Sequence, residues 1–275
     1  MIAKTIGHTS AALLTELHQK GLDFFETEQV SSILCDNNDA AIRRLLSDMV
    51  GRGLLMRLRG GIYHIIPYDR DPTTYFPNWD ITAQHLVGKT PYYIGYYSAL
   101  VLHDLTTQPS LMQQVVVSKP IRPNEQIVNG VKFQFVFHNA FHFFGTKRHW
   151  IQDTYRVNCS DLEKTWVDCA FKPDYAGGIV ELGKAIYKSK DTVNPTRLLD
   201  YTARFGSDAV IRRLGFLLET LDILPILAQD LHKKINKSST YVALDTALPK
   251  EGRSLSRWGI VQNIDIETIQ LANFT

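Results

Sequence analysis

Five arginines, Arg43, Arg44, Arg52, Arg57 and Arg59, lie close together with one acidic residue, Asp48, among them, so this short stretch is net +4. A guanidinium group can reach a phosphate oxygen or pair bidentately with guanine, and short polar side chains permit close approach to a groove. Residues 1–70 as a whole carry eight basic and eight acidic side chains. The charge is therefore local, as a focused electrostatic footprint on a duplex requires. Asn37, Asn38, Arg43, Arg44, Ser47, Arg57 and Arg59 form the candidate DNA-binding set. The competing reading is a solvated helix face or a protein-protein adaptor.

Other clusters invite enzymatic readings that their spacing does not favour. His138 and His142 are four apart, with His149 nearby, but residues 136–144 read as strand and loop, and no third metal ligand is well spaced. Asp161, Glu163, Lys164 and Asp168 resemble the carboxylate-plus-lysine set of a metal-dependent nuclease. On a helix, however, Asp161 and Asp168 lie two turns apart, and Ser160 with Glu163 makes a capping box that uses these residues without catalysis. There is no Gly-x-Ser-x-Gly and no phosphate-binding glycine loop. No enzyme, cofactor, metal or small-molecule substrate is expected. A second basic surface can be drawn through Lys184, Lys188, Lys190, Arg204, Arg212 and Arg213, extended by Lys233, Lys234, Lys237, Arg253 and Arg257; solvated helix faces explain it equally well. Tyr92, Tyr93, Tyr96 and Tyr97 have the ring faces to stack on bases, although core and rim are commoner uses of this spacing.

The elements that would position these residues can be read from periodicity. Leu13, Leu14 and Leu17 mark a first helix ending at Lys20-Gly21; Thr27 caps a second through Val30, Ile33 and Leu34; a polar turn comes next over 35–39. From Asp39, the residues Ile42, Leu45, Leu46, Met49 and Val50 form one buried stripe, leaving Ala40, Arg43, Arg44 and Ser47 on the opposite face. Leu54 to Ile66, broken by Gly60-Gly61, reads as a β-hairpin. Helix, turn, helix and hairpin in this order predict a winged helix-turn-helix domain. Pro67 to Pro72 reads as a linker, which places a boundary at 70.

Beyond it, residues 71–275 predict a larger mixed α+β domain. Ile81–Val87 and Tyr93–Leu105 read as helices. Gln114–Val117, Val131–Phe137 and Tyr155–Asn158 read as strands, with Asn129-Gly130 turning before the second. Further helices run to about Phe171, from Pro195 to Phe205 and from a Ser207 cap through Leu221, and short extended segments lie near Tyr241–Leu244 and Trp258–Val261. At 275 residues and 44% hydrophobic content the chain can bury two cores, while a formal charge of +2 excludes a general polycation. Cys35, Cys159 and Cys169 match no zinc motif or disulfide framework, and with no secretory signal or membrane-length apolar run the expected compartment is the cytoplasm.

The second domain also carries separated blocks that resemble a known family. Tyr93-Ile94-Gly95-Tyr96-Tyr97-Ser98-Ala99-Leu100, the run from Ser160 to Cys169 followed by Pro173-Asp174-Tyr175-Ala176-Gly177-Gly178, and Arg212 to Glu219 are similar to the AbiEi antitoxins of bacterial type IV toxin-antitoxin and abortive-infection systems. The resemblance covers nearly the whole length, because that family also begins with a winged helix-turn-helix domain. It implies a cytoplasmic, non-enzymatic phage-defence protein. Its N-terminal domain would bind inverted repeats in its own promoter, and its C-terminal domain would oppose a nucleotidyltransferase-like toxin. On that view Lys184, Lys188, Arg204, Arg212 and Arg213 become a candidate antitoxin surface. The alternatives are a transcription regulator with a ligand-sensing C-terminal domain and, further off, a metal-dependent nuclease.

Overall fold

The structure, a computed structural model, describes residues 4–35, 38–151, 155–236 and 240–271. The chain is mixed α+β and divides into two compact units, one of residues through 89 with 127–132, the other of residues 90–126 with 133–275.

The first unit runs α1 (His8–Gln19), β1 (Phe24–Glu26), α2 (Thr27–Ile33), α3 (Asp39–Gly51), β2 (Leu55–Arg59), β3 (Ile62–Ile65) and α4 (Trp79–Val87). β3 lies between β1 and β2, antiparallel to both. Leu13 and Leu17 of α1, Val30 of α2 and Ile42, Leu46 and Met49 of α3 close on Phe25, Leu55 and Tyr63 of the sheet. The stripe expected for α3 is thus the stripe that is buried. Its start is set by Asn38, whose side-chain oxygen accepts from the Ala41 amide. The start of α2 differs from expectation: Glu26 is the N-cap and forms a reciprocal capping box with Gln29, whereas Thr27 is already helical and its hydroxyl donates to the Gly61 carbonyl. Gly61 turns the hairpin at φ +79°, a left-handed conformation that glycine adopts without a Cβ penalty.

The expected boundary at 70 is displaced to 89. The Pro67–Pro72 stretch does not release the chain, because Tyr75 and α4 pack back onto the small sheet. Tyr75 hydrogen-bonds His64 Nε2 at 3.0 Å, and the His85 ring stacks on Phe24 with centroids 4.3 Å apart.

The chain continues with β4 (Tyr92–Ile94), α5 (Tyr96–Leu102), β5 (Met112–Val117), β6 (Glu125–Val128), β7 (Val131–Phe137), β8 (Thr146–Ile151) and β9 (Tyr155–Ser160), all in the second unit except residues 127–132 around the β6–β7 turn. These strands form one six-stranded sheet in the order β6-β7-β5-β4-β9-β8. β4 runs parallel to β9 at Ile94 opposite Cys159, and β8 and β9 are antiparallel. Then come α6 (Leu162–Phe171), a short 3-10 turn over Pro173–Ala176, α7 (Ile179–Ser189), α8 (Pro195–Phe205), α9 (Asp208–Thr220) and α10 (Pro225–Lys233). β10 (Val242–Ala243), β11 (Arg253–Leu255), β12 (Ile260–Gln262) and α11 (Ile266–Leu271) end the described chain. The main core of this unit gathers Trp166 of α6, Leu182 and Ile186 of α7, Leu198 of α8, Leu214 and Leu217 of α9, and Trp258.

One expected helix is two elements. Residues 93–105 do not form a single helix, because Tyr92–Ile94 pair with β5 on one side and meet β9 on the other, and the chain turns at Gly95 before α5 starts. Tyr96 opens that helix at φ +53°, an uncommon conformation for a residue with a large side chain. The Ser160 capping box is also corrected. Ser160 ends β9, and Asp161 caps α6 by accepting from the Lys164 amide at 2.9 Å.

Candidate functional site

On α3, Arg43, Arg44 and Ser47 are exposed, and on β2 Arg57 and Arg59 are exposed while the alternating Met56 and Leu58 are buried. Among the described residues none of these four arginines has a carboxylate partner, so their charge is available to an external anion. Arg52, the fifth in the cluster, is otherwise engaged: it pairs with Asp48 at 3.1 Å and donates to Ser10 Oγ and the Thr5 carbonyl, tying the end of α3 to α1 and the chain before it. Asn38 is exposed, but its side-chain oxygen is committed to capping α3. Asn37 lies outside the described residues.

The basic set of the second unit does not hold together as a surface. Lys188 and Arg204 are exposed, the latter with its guanidinium 4.2 Å over the Phe144 ring, and Lys184 is half-buried beside Glu181. Arg212 and Arg213, expected on that surface, are in the interior at 1% and 4% exposure. Arg212 pairs with Asp208 one turn away and donates to the carbonyls of Thr240, Gly259 and Asn236. Arg213 donates to the Ala243, Ala170 and Phe171 carbonyls, and burial pulls its pKa down to about 10, which leaves it charged at neutral pH. The physical reason is that five-donor guanidinium groups satisfy strand and helix-end carbonyls that would otherwise be buried unpaired. These arginines fasten α9 to the C-terminal segments.

The residues considered for nuclease chemistry are also taken apart by the fold. Asp161 caps α6 and accepts from the Tyr201 hydroxyl at 2.8 Å, and buried Glu163 accepts from the Asn194 amide and pairs with Arg197. Lys164 and Asp168 instead join a sealed cluster with Tyr93, Tyr96 and His138, all at or below 3% exposure. Lys164 pairs with Asp168 and donates to the Tyr93 oxygen at 3.0 Å. Tyr93 donates to Asp168 Oδ2 at 2.9 Å, and its oxygen lies 3.1 Å from His138 Nδ1; the Tyr96 hydroxyl lies 2.7 Å from His138 Nε2.

With the Tyr93 proton given to Asp168, the hydrogen-bond pattern assigns the His138 proton to Nδ1, leaving Nε2 to accept from Tyr96. Each polar atom then has a partner. Burial holds the His138 pKa at about 4, so the ring is neutral. Burial first, and then the Asp168 charge, push the tyrosine hydroxyls above their ordinary range, and burial draws the Lys164 ammonium below its own. The cluster is buried at all five of its side chains. It locks β4, α5, the end of β7 and α6 to one another.

The histidines considered as ligands are occupied as well: both ring nitrogens of His138 face tyrosines, and His142 stacks on Phe205 and bonds its carbonyl. His149 lies instead against His103. Among the described residues no three His, Cys, Asp or Glu side chains are grouped to hold a metal ion. The one sequence sign of the buried cluster was the i, i+4 spacing of Lys164 and Asp168 on α6; Tyr93 on β4 and His138 just after β7 are far away in the chain and carry no local sign.

No family model matches the chain, and no curated protein matches it. Among solved structures it is similar to the RV2827C protein from Mycobacterium tuberculosis, known from a crystal structure, with a TM-score of 0.73 at 13% identity. The two share a fold. The likeness to RV2827C extends over 98% of this chain and 95% of that one, so it takes in both units and is not confined to the N-terminal helices. Among the described residues no helix is long and apolar enough to cross a membrane.

Proposed function

We propose that the first unit is a winged helix-turn-helix module that binds promoter DNA, with α3 as the recognition helix and the β2–β3 hairpin as the wing. The observation that carries this reading is the set of exposed, carboxylate-free cations Arg43, Arg44, Arg57 and Arg59 on two neighbouring elements in helix-turn-helix-wing order. We further propose that the protein is a cytoplasmic antitoxin. In this reading it represses its own operon through inverted repeats, and its second unit counteracts a nucleotidyltransferase-like toxin. That part is supported by the family resemblance of the sequence blocks. Lys184, Lys188 and Arg204 are the members of the candidate antitoxin surface that remain accessible to a partner.

A gel shift with DNA from upstream of the gene tests the first part. Specific retardation that weakens with salt and is lost in Arg43→Ala/Arg44→Ala is expected, and unchanged retardation in that variant overturns it. Co-expression with the neighbouring gene tests the second: rescue of growth by the full chain, retained in Arg43→Ala/Arg44→Ala, is the expected result. A second reading, a regulator with a ligand-sensing second unit, is favoured by two cavities of about 470 and 420 Å³ that share Tyr175 as a lining residue. Its support would be a melting shift with a small molecule that also changes DNA affinity.

A further inference from the structure

The outer edge of the six-stranded sheet carries a stacked tryptophan–arginine pair. β8 is the last strand in the sheet order, and its partner β9 lies on one side only. Trp150 on β8 stands directly opposite Arg156 on β9, and the guanidinium carbon sits 3.7 Å from the centre of the indole ring. Although stacked, the tryptophan is 51% exposed, which leaves aromatic surface open to solvent.

Two residues along the same face the next opposed pair is Arg148 and Asn158, exposed and half-buried respectively, and exposed Lys147 adjoins from the other face. Among the described residues neither Lys147 nor Arg148 has a carboxylate partner. From Thr146 to Ser160 the sequence holds three lysine or arginine residues and one carboxylate, Asp153, which lies outside the described residues.

An indole buttressed by a guanidinium, with Arg148 and an amide on the same pleated face and Lys147 beside it, presents what a nucleobase and its phosphates require. The flat ring stacks on a base of any sequence, the arginines meet the phosphates, and Asn158 has both a donor and an acceptor for a base edge. A duplex would present phosphates without free base faces, and an acidic peptide would use the cations but leave the indole face idle. We propose that the β8–β9 edge is a binding platform for single-stranded nucleic acid, centred on Trp150 and Arg156. The platform is separate from the duplex-binding reading of α3 and stands without it.

The test is fluorescence anisotropy with labelled uridine and thymidine oligomers of about 12 nucleotides. The full-length protein carries Arg43→Ala/Arg44→Ala, so that binding through the first unit is removed. Binding is expected to weaken roughly seven- to twentyfold on a fourfold increase in salt, as for two or three neutralised phosphates. Trp150→Ala should cost roughly tenfold or more, Trp150→Phe much less, and Arg148→Ala/Arg156→Ala should lower both affinity and salt slope. Tighter binding of the uridine oligomer assigns the platform to RNA, tighter binding of the thymidine oligomer to DNA; either upholds it. Absence of binding, or binding indifferent to Trp150→Ala in a variant with an unchanged melting temperature, overturns the proposal. In that event the lysine and arginine of β8 would serve only to keep a sheet edge from pairing with another chain.

Discussion

At Arg213 the guanidinium lies among the carbonyls of Ala243, Ala170 and Phe171, whereas at Arg204, on the preceding helix, it rests on the outside of Phe144. Composition treats the two alike; burial separates them. Arg213→Ala leaves several interior carbonyls without a donor and should lower stability by about 3 kcal/mol. Lys188→Ala, at an exposed position without such bonds, should stay within about 0.5 kcal/mol. Urea denaturation followed by tryptophan fluorescence measures both, since Trp166 and Trp258 lie in the core that α9 helps to build. His138 supplies a pH signature of the same kind. Its folded pKa of about 4 lies below the ordinary histidine value of 6.5 that holds in the unfolded chain, so between those values the unfolded chain binds more protons than the folded one. Stability should therefore fall as pH drops from 6.5 to 4, by up to about 3 kcal/mol from this residue, with no further contribution below that window. His138→Gln keeps an amide between the two tyrosines but does not titrate there. Its denaturation midpoint should decline less over the same range, and an equally steep decline would remove His138 as the cause.

At the scale of elements, what the sequence made legible is what local periodicity can encode. α3 was readable because Ile42, Leu46 and Met49 recur on one face, and the β2–β3 hairpin because two glycines separate β-rich runs. Tyr93–Leu105 differs from the expected single helix because a dense aromatic run suits a buried strand as well as a helix, and the partner strands that decide the matter lie elsewhere in the chain. β8 was missed for a related reason: five of its six residues are exposed or half-buried and polar or aromatic, so no apolar alternation marks it. The candidate site divides in the same way. The exposed arginines of α3 and β2 were legible as cations on a helix face and a hairpin, while the Lys164–Asp168–Tyr93–His138 cluster is assembled by tertiary packing from separate elements. The blocks that carry the family resemblance hold Tyr93, Tyr96, Lys164, Asp168, Arg212 and Arg213, all interior, so those blocks describe the architecture more directly than any partner surface. One substitution separates the two tasks read for Asn38. Asn38→Asp preserves an equally good cap, so the melting temperature should hold, but it places an anion beside the proposed DNA face and should weaken the gel shift several-fold. Asn38→Ala should instead lose about 1 kcal/mol of stability.

For the whole molecule, the two units place the working boundary after α4, not at the proline-rich stretch before it. The reason is visible in the small sheet. Phe24 is flanked by His64 on its own sheet and by His85 from α4, and the buried His64 ring relies on the Tyr75 hydroxyl for Nε2. A chain ending at 70 removes both Tyr75 and His85, exposing the Phe24 ring and leaving a buried imidazole nitrogen without its partner. Exposing an aromatic ring costs about 2 kcal/mol and an unsatisfied buried polar atom about 1–3 kcal/mol, a large share of what so small a unit can hold in reserve. A chain ending at 89 should therefore melt cooperatively and retain salt-sensitive binding to upstream DNA. One ending at 70 should melt at least about 10 °C lower or lack a cooperative transition, as about 3 kcal/mol implies for a unit of this size. Differential scanning calorimetry of the two chains decides between the boundaries, and equal melting temperatures would return the boundary to the proline stretch.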